Sequence, residues 1–145
     1  MKDKLTEINS VGGVKTSFFY LNDGEVVYQS LPPGFDQDTF LEIAKDFVQM
    51  AAICDRMQSA INEYDLKYDN GRILAFTHHN YNLIVLCDVN VSLAMLRLTI
   101  NVAIADLEAD KKFQKRVAKV ETTRRSFLVR SNMDPDSWTL TETVN

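Results

Sequence analysis

The chain has 145 residues, 46% of them hydrophobic and 25% charged, which is ordinary for a single globular domain. That length suffices to bury a core of roughly two-thirds of the unfolded surface. Two cysteines, Cys54 and Cys87, are too few for a disulfide scaffold or a self-contained zinc site, and no apolar run approaches the roughly 20 residues of a membrane span.

The net charge of −4 hides an asymmetry. Residues 1–110 carry 8 Lys/Arg against 16 Asp/Glu, residues 111–130 carry 8 Lys/Arg against Glu121 alone, and the last stretch is acidic again. A basic run of this kind can touch nucleic acid or a membrane surface. No aromatic or Gly-rich nucleic-acid motif interleaves with the charges, so it reads as a solvated helix end drawn to the acidic body. The opening "MKDKLTEINS" has no apolar signal-peptide core, and a cytoplasmic protein is expected.

In chain order, residues 3–10 form a short helix with Leu5 and Ile8 on one side, ended by Gly12-Gly13. "VKTSFFYL" (14–21) is rich in β-branched and aromatic residues and predicts a strand. "NDGE" (22–25) is a hairpin turn, since Asp-Gly supplies the positive φ of tight turns. The return strand is 25–31, closed by "PPGFD". A long helix runs from about Asp38 to Ile61, with Asp36 or Asp38 as cap. Its stripe is Phe40, Ile43, Phe47, Met50, Ala51, Cys54, Met57 and Ile61; Leu41, Val48 and Ala52 widen the apolar arc beyond what one sheet needs. Three strands follow, at 62–68, 72–78 and 81–88, joined at Asp69-Asn70-Gly71 and at His79-Asn80. "YNLIVLCD" (81–88) is the most apolar and belongs at the sheet centre. The last helix starts near Asn90 or Ser92, passes Leu107 and is expected to continue through the charged segment to about Arg124. Residues 126–145 are a tail. The fold class is α+β: a five-stranded antiparallel sheet with helices on both faces.

Chemistry is sparse. His78 and His79 are adjacent on a strand end and point to opposite faces, which suits a polar turn better than a metal site. "VGGV" lacks the Lys-Ser/Thr of a nucleotide loop. No Ser occupies a nucleophile elbow. Asp36, Asp38, Glu42 and Asp46 stand near a helix start, where the helix dipole favours them. No catalytic residue, cofactor site or metal site is expected, and the chain is not read as an enzyme.

Surplus apolar surface is the stronger signal. In "DVNVSLAMLRLTINVAIADL" (88–107), Leu93, Leu96, Ile100, Ala103 and Leu107 make one stripe. Met95, Leu98, Val102, Ala105 and Ala109 make a second on the opposite side. The larger stripe suits the sheet. The second is expected to be covered by the tail, through Phe127, Val129 or Trp138, or by a partner helix. Large apolar patches on soluble proteins mark association.

Three stretches resemble the Roadblock/LC7 domain family, including its MglB-like members: "INSVGGVKTSFFYLNDGEVVYQSLP" (8–32), "FLEIAKDFVQMAAICDRM" (40–57) and "LIVLCDVNVSLAMLRLTINVAIADL" (83–107). The resemblance spans roughly residues 4–110, leaving 111–145 as a basic helix extension and tail. It departs from the family at Ser10-Val11-Gly12-Gly13-Val14, where a proline is usual. The resemblance implies profilin- or longin-like layering and a homodimer formed by the long helix and the strand after it. On this sequence the candidate interface is Leu41, Val48, Ala52, Leu66 and Tyr68. Met95, Leu98, Val102 and Ala105 are the candidate partner or tail-packing seam. The resemblance further implies a small Ras-like GTPase as partner, bound by a non-catalytic scaffold or by an activator of hydrolysis. An arginine finger in trans is one physical route to activation; Arg56, Arg72 and Arg97 are the arginines of the body. The alternative is a structural, light-chain-like subunit of a larger assembly without GTPase contact. No nucleic-acid partner is expected.

Overall fold

The structure, a computed structural model, describes residues 1–57, 61–78 and 80–118. The order is α1 (Lys2–Asn9), β1 (Val14–Leu21), β2 (Val26–Tyr28), α2 (Gln37–Arg56), β3 (Glu63–Tyr68), β4 (Gly71–Thr77), β5 (Tyr81–Cys87) and α3 (Leu93–Ala109). A further helical segment covers 111–118. His79, the end of the basic run and the tail, with Phe127, Val129 and Trp138, lie outside the described residues.

The five strands form one antiparallel sheet in the order β2-β1-β5-β4-β3. β5 is central, as its apolar run requires, and every one of its residues is buried. Its side chains alternate between two cores. Leu83, Val85 and Cys87 meet α1 and α3 through Leu5, Ile8, Leu96, Ile100 and Leu107. Ile84 and Leu86 meet α2 through Phe40, Ala44 and Phe47. The molecule is therefore three layers, with α1 and α3 on one face of the sheet and α2 on the other. α1 and α3 are tied by Lys4 and Asp106 at 2.7 Å.

Local chemistry explains the corners. Gly24 has φ +94° in the β1–β2 turn, where its N–H donates to the Leu21 carbonyl at 2.9 Å. Gly13 has φ +93°, and a Cβ there would stand 3.3 Å from Val91, so the break after α1 is also a close approach to the loop before α3. The Asp36 carboxylate caps α2 by accepting from Thr39 N at 2.8 Å.

Three expected boundaries differ. β2 ends at Tyr28, short of Leu31, because Pro32 and Pro33 follow and proline cannot donate to a ladder. α2 ends at Arg56, not Ile61, since the chain has to be extended again by Glu63 to join the sheet. α3 does not run on through the basic segment. Asp110 leaves helical geometry at φ −81°, ψ 119°. Its carboxylate accepts from Lys112 N at 2.9 Å and so caps the segment that follows. The break turns Phe113 back onto the core, where its ring meets Tyr81 edge-on at 5.2 Å. Among the described residues, no helix is long and apolar enough to cross a membrane.

Candidate functional site

α2 runs across the strands, from β1 toward β3. Phe18, Ile84, Ala75 and Tyr64 form one row across the sheet by register. Phe40 stacks on Phe18 with ring centroids 4.3 Å apart, and Phe47 meets Tyr64 edge-on at 6.1 Å. Such pairs add about 0.5–1.5 kcal/mol beyond area burial. Phe40, Ala44 and Phe47 are the fully buried residues of the helix. Ile43 and Ala51, expected on the sheet side, are half-buried at the margins.

The helix therefore keeps two flanks. On one, Val48 is 39% exposed and Ala52 is exposed, beside a cleft of about 780 Å³ that Asp55, Asn62, Thr77 and Asn82 also line. Leu41 lies on this flank by helical spacing, but it is half-buried and packs on the sheet core. On the other flank, Ile43, Met50 and Ile53 face Leu66, Tyr68 and Ile73 across a groove of about 390 Å³. Ile53 is 56% exposed and Tyr68 54%. The structure so divides the residues expected at a dimer interface: Leu41, Val48 and Ala52 stand on one flank, Leu66 and Tyr68 on the other. The sequence reading passed over Ile53. It also counted Ile43 and Met50 with the core stripe, because the arc from Ile43 to Ala51 is continuous and spacing alone does not show where a flat sheet stops covering it.

Among the described residues, β3 is the sheet's edge and pairs only with β4. Tyr64, Leu66 and Tyr68 point to the α2 face. Glu63, Asp65 and Lys67 point to the α3 face. There Glu63 accepts from Arg97 Nη2 at 2.6 Å, and Asp65 pairs with Arg72 Nε at 3.2 Å. Arg72 is buried, so it is committed to the sheet; Arg97 and Arg56 are exposed. Burial pushes the Tyr64 hydroxyl up to about 12, helped by the Cys54 thiol beside it.

Among the described residues, nothing covers the second apolar stripe of α3. Met95 is 56%, Leu98 59% and Val102 51% exposed, and Ala105 is exposed with them. At the far end of α3, His78 stacks on Tyr81 with centroids 4.7 Å apart. The Tyr81 hydroxyl donates to Glu108 at 3.3 Å. Burial raises the Tyr81 pKa and lowers that of His78. Among the described residues, no group of three or more His, Cys, Asp or Glu side chains is placed to hold a metal ion. What these surfaces offer is apolar contact and an open strand edge.

No family model matches the sequence, and no curated protein matches it. Solved structures do match its fold. The Roadblock/LC7 domain of Streptomyces avermitilis is similar at 14% identity, covering 75% of this chain and 95% of that one, with a TM-score of 0.57. MglB of Myxococcus xanthus is similar at 15% identity, over 73% of this chain and 86% of that one, with a TM-score of 0.60. A structure of MglB with a tetrameric arrangement reaches 16% identity and a TM-score of 0.62, over 79% of this chain and 88% of that one. The chain has the Roadblock/LC7 fold, in the form that MglB also takes.

Proposed function

We propose that the chain is a dimeric, non-enzymatic scaffold or regulator that binds a small Ras-like GTPase. The observation that carries this reading is the combination of the Roadblock/LC7 fold with apolar flanks of α2 exposed beside the open edge strand β3. A monomer in water gains by covering such surface, at roughly 25 cal/mol per Å². A second copy covers it when α2 packs on its mate and β3 extends the sheet across both chains. The dimer then presents one continuous sheet and two α2 helices as a platform for the GTPase. The role is to bind, and to alter hydrolysis by reshaping the nucleotide site of the partner or by offering Arg56 or Arg97 in trans. Arg72 is excluded from that role by its burial. Residues 1–110 carry the platform, and 111–145 are an extension.

A structural subunit of a larger assembly is the second reading, favoured by one observation: among the described residues, α3 carries a separate exposed apolar stripe on the other side of the sheet. Nucleotide dependence separates the two. Purified protein is used to capture partners from extract of the source cells, once with a GTP analogue and once with GDP, and mass spectrometry identifies them. A small GTPase retained only with the GTP analogue is the expected result. A partner retained equally in both, or one that binds no nucleotide, overturns the GTPase reading in favour of the structural one.

A further inference from the structure

The outer face of α3 has more order than a bare patch. Ala94, Met95, Leu98, Val102, Ala105 and Ala109 are all exposed. At about 100° per residue they fill one continuous arc opposite the buried Leu96, Ile100, Ala103 and Leu107, and no charged residue falls within it. Met95, Leu98, Val102, Ala105 and Ala109 follow one another at alternating spacings of three and four residues. That is two heptads of a coiled-coil seam, which fits another helix at a shallow crossing angle. The ridge is about 21 Å long at the α-helical rise.

Side-chain size falls along the ridge, from Met95 and Leu98 to Ala105 and Ala109. An antiparallel pair of these helices, with its twofold axis at Val102, sets Met95 against the partner's Ala109 and Leu98 against the partner's Ala105. Large residues then meet small ones on both sides of the central Val102 pair. The same pairing brings Arg97 opposite the partner's Glu108. Both heads are already positioned at the flank: Arg97 by Glu63 at 2.6 Å, Glu108 by the Tyr81 hydroxyl at 3.3 Å. A parallel pair instead puts Met95 beside the partner's Met95 and turns Arg97 toward the partner's opposite flank at Thr99, so large meets large and the Arg97–Glu108 pairing is lost. We propose that the outer face of α3 is a self-association surface whose occupant is the antiparallel α3 of a second copy. It lies across the sheet from α2 and does not depend on the GTPase reading. With an α2 interface also in use, the particle is a dimer of dimers.

The test is the particle mass of the full chain by analytical ultracentrifugation. Leu98→Glu is expected to halve the mass while far-UV circular dichroism is unchanged. Val102→Cys in a Cys54→Ser background is expected to give a covalent dimer with a short bismaleimide, because Val102 meets its own copy at the axis. This second variant decides the matter if Leu98→Glu fails to fold. An unchanged mass for folded Leu98→Glu, or no cross-link through Val102→Cys, overturns the proposal. Trp138 is the one tryptophan in the chain. If its emission shifts to the red in Leu98→Glu while the mass stays the same, the occupant is the C-terminal segment of the same chain, and self-association through α3 is overturned.

Discussion

His78 is held where protonation costs stability. It stacks on Tyr81, and burial lowers its pKa against a weaker upward pull from Glu108. Its folded-state pKa is below its unfolded value of about 6.5. Above that value the ring is neutral in both states and adds no pH dependence. Below it the unfolded chain takes up the proton first, so stability falls as pH drops through that value. His78→Gln is expected to flatten this part of the profile, read as the change in urea midpoint between pH 7.5 and pH 5.5. Identical slopes in both proteins would refute the assignment. Some single residues were legible in the sequence for local reasons. Asp-Gly at the first hairpin predicted a positive φ, and Gly24 has it. Asp36 was one of two expected caps and is the one whose carboxylate reaches Thr39. The role of Asp110 was not legible. It reads as one more acid on a helix, and only the need to bring Phe113 onto Tyr81 makes it a break.

Among elements, the segment 111–118 is where charge and packing meet. Lys111, Lys112 and Lys115 are exposed, while Phe113 is buried and Arg116 reaches Glu25 in the β1–β2 turn at 2.6 Å. The acidic body thus does draw one member of the basic run. The buried ring contributes more than this exposed ion pair, which by its class is worth about 0–1 kcal/mol. Phe113→Ala is expected to lower stability by about 3 kcal/mol, the low end for a buried aromatic truncated to Ala. Chemical denaturation measures it, and a loss under about 1 kcal/mol would mean the segment is not docked in solution. Element identity and order were legible as far as α3, because strands and helices have different apolar periods; the separate helical segment 111–118 was read as a continuation of α3. Ends were less so. Where α2 stops depends on where β3 has to begin, which is a fact about its neighbour and not about the segment.

For the whole molecule the decisive quantity is how many apolar faces remain after the domain has folded. The three layers bury one face of each helix and both faces of β5. Among the described residues, the flanks of α2 and the outer face of α3 are left over. Val48→Asp places a charge at a position on α2 that is 39% exposed, so the monomer fold tolerates it. It is expected to halve the particle mass, toward the 16.5 kDa of one chain if α2 is the only interface. Sedimentation gives the mass, and a folded variant of unchanged mass would remove Val48 from the interface. The sequence by itself determined the α+β class, the antiparallel pairing and the central place of 81–88. Each follows from local periodicity, turn chemistry and the length of the connections. It also determined that apolar surface was in excess, since the stripes could be counted. Which stripes were spent on the core was decided only by tertiary structure. A helix crossing a twisted sheet is covered over one arc and bare on its two sides. That is why Leu41 and Val48, two helical turns apart on the same flank, end at different depths, and why Leu66 and Tyr68 lie across a groove from Ile53 instead.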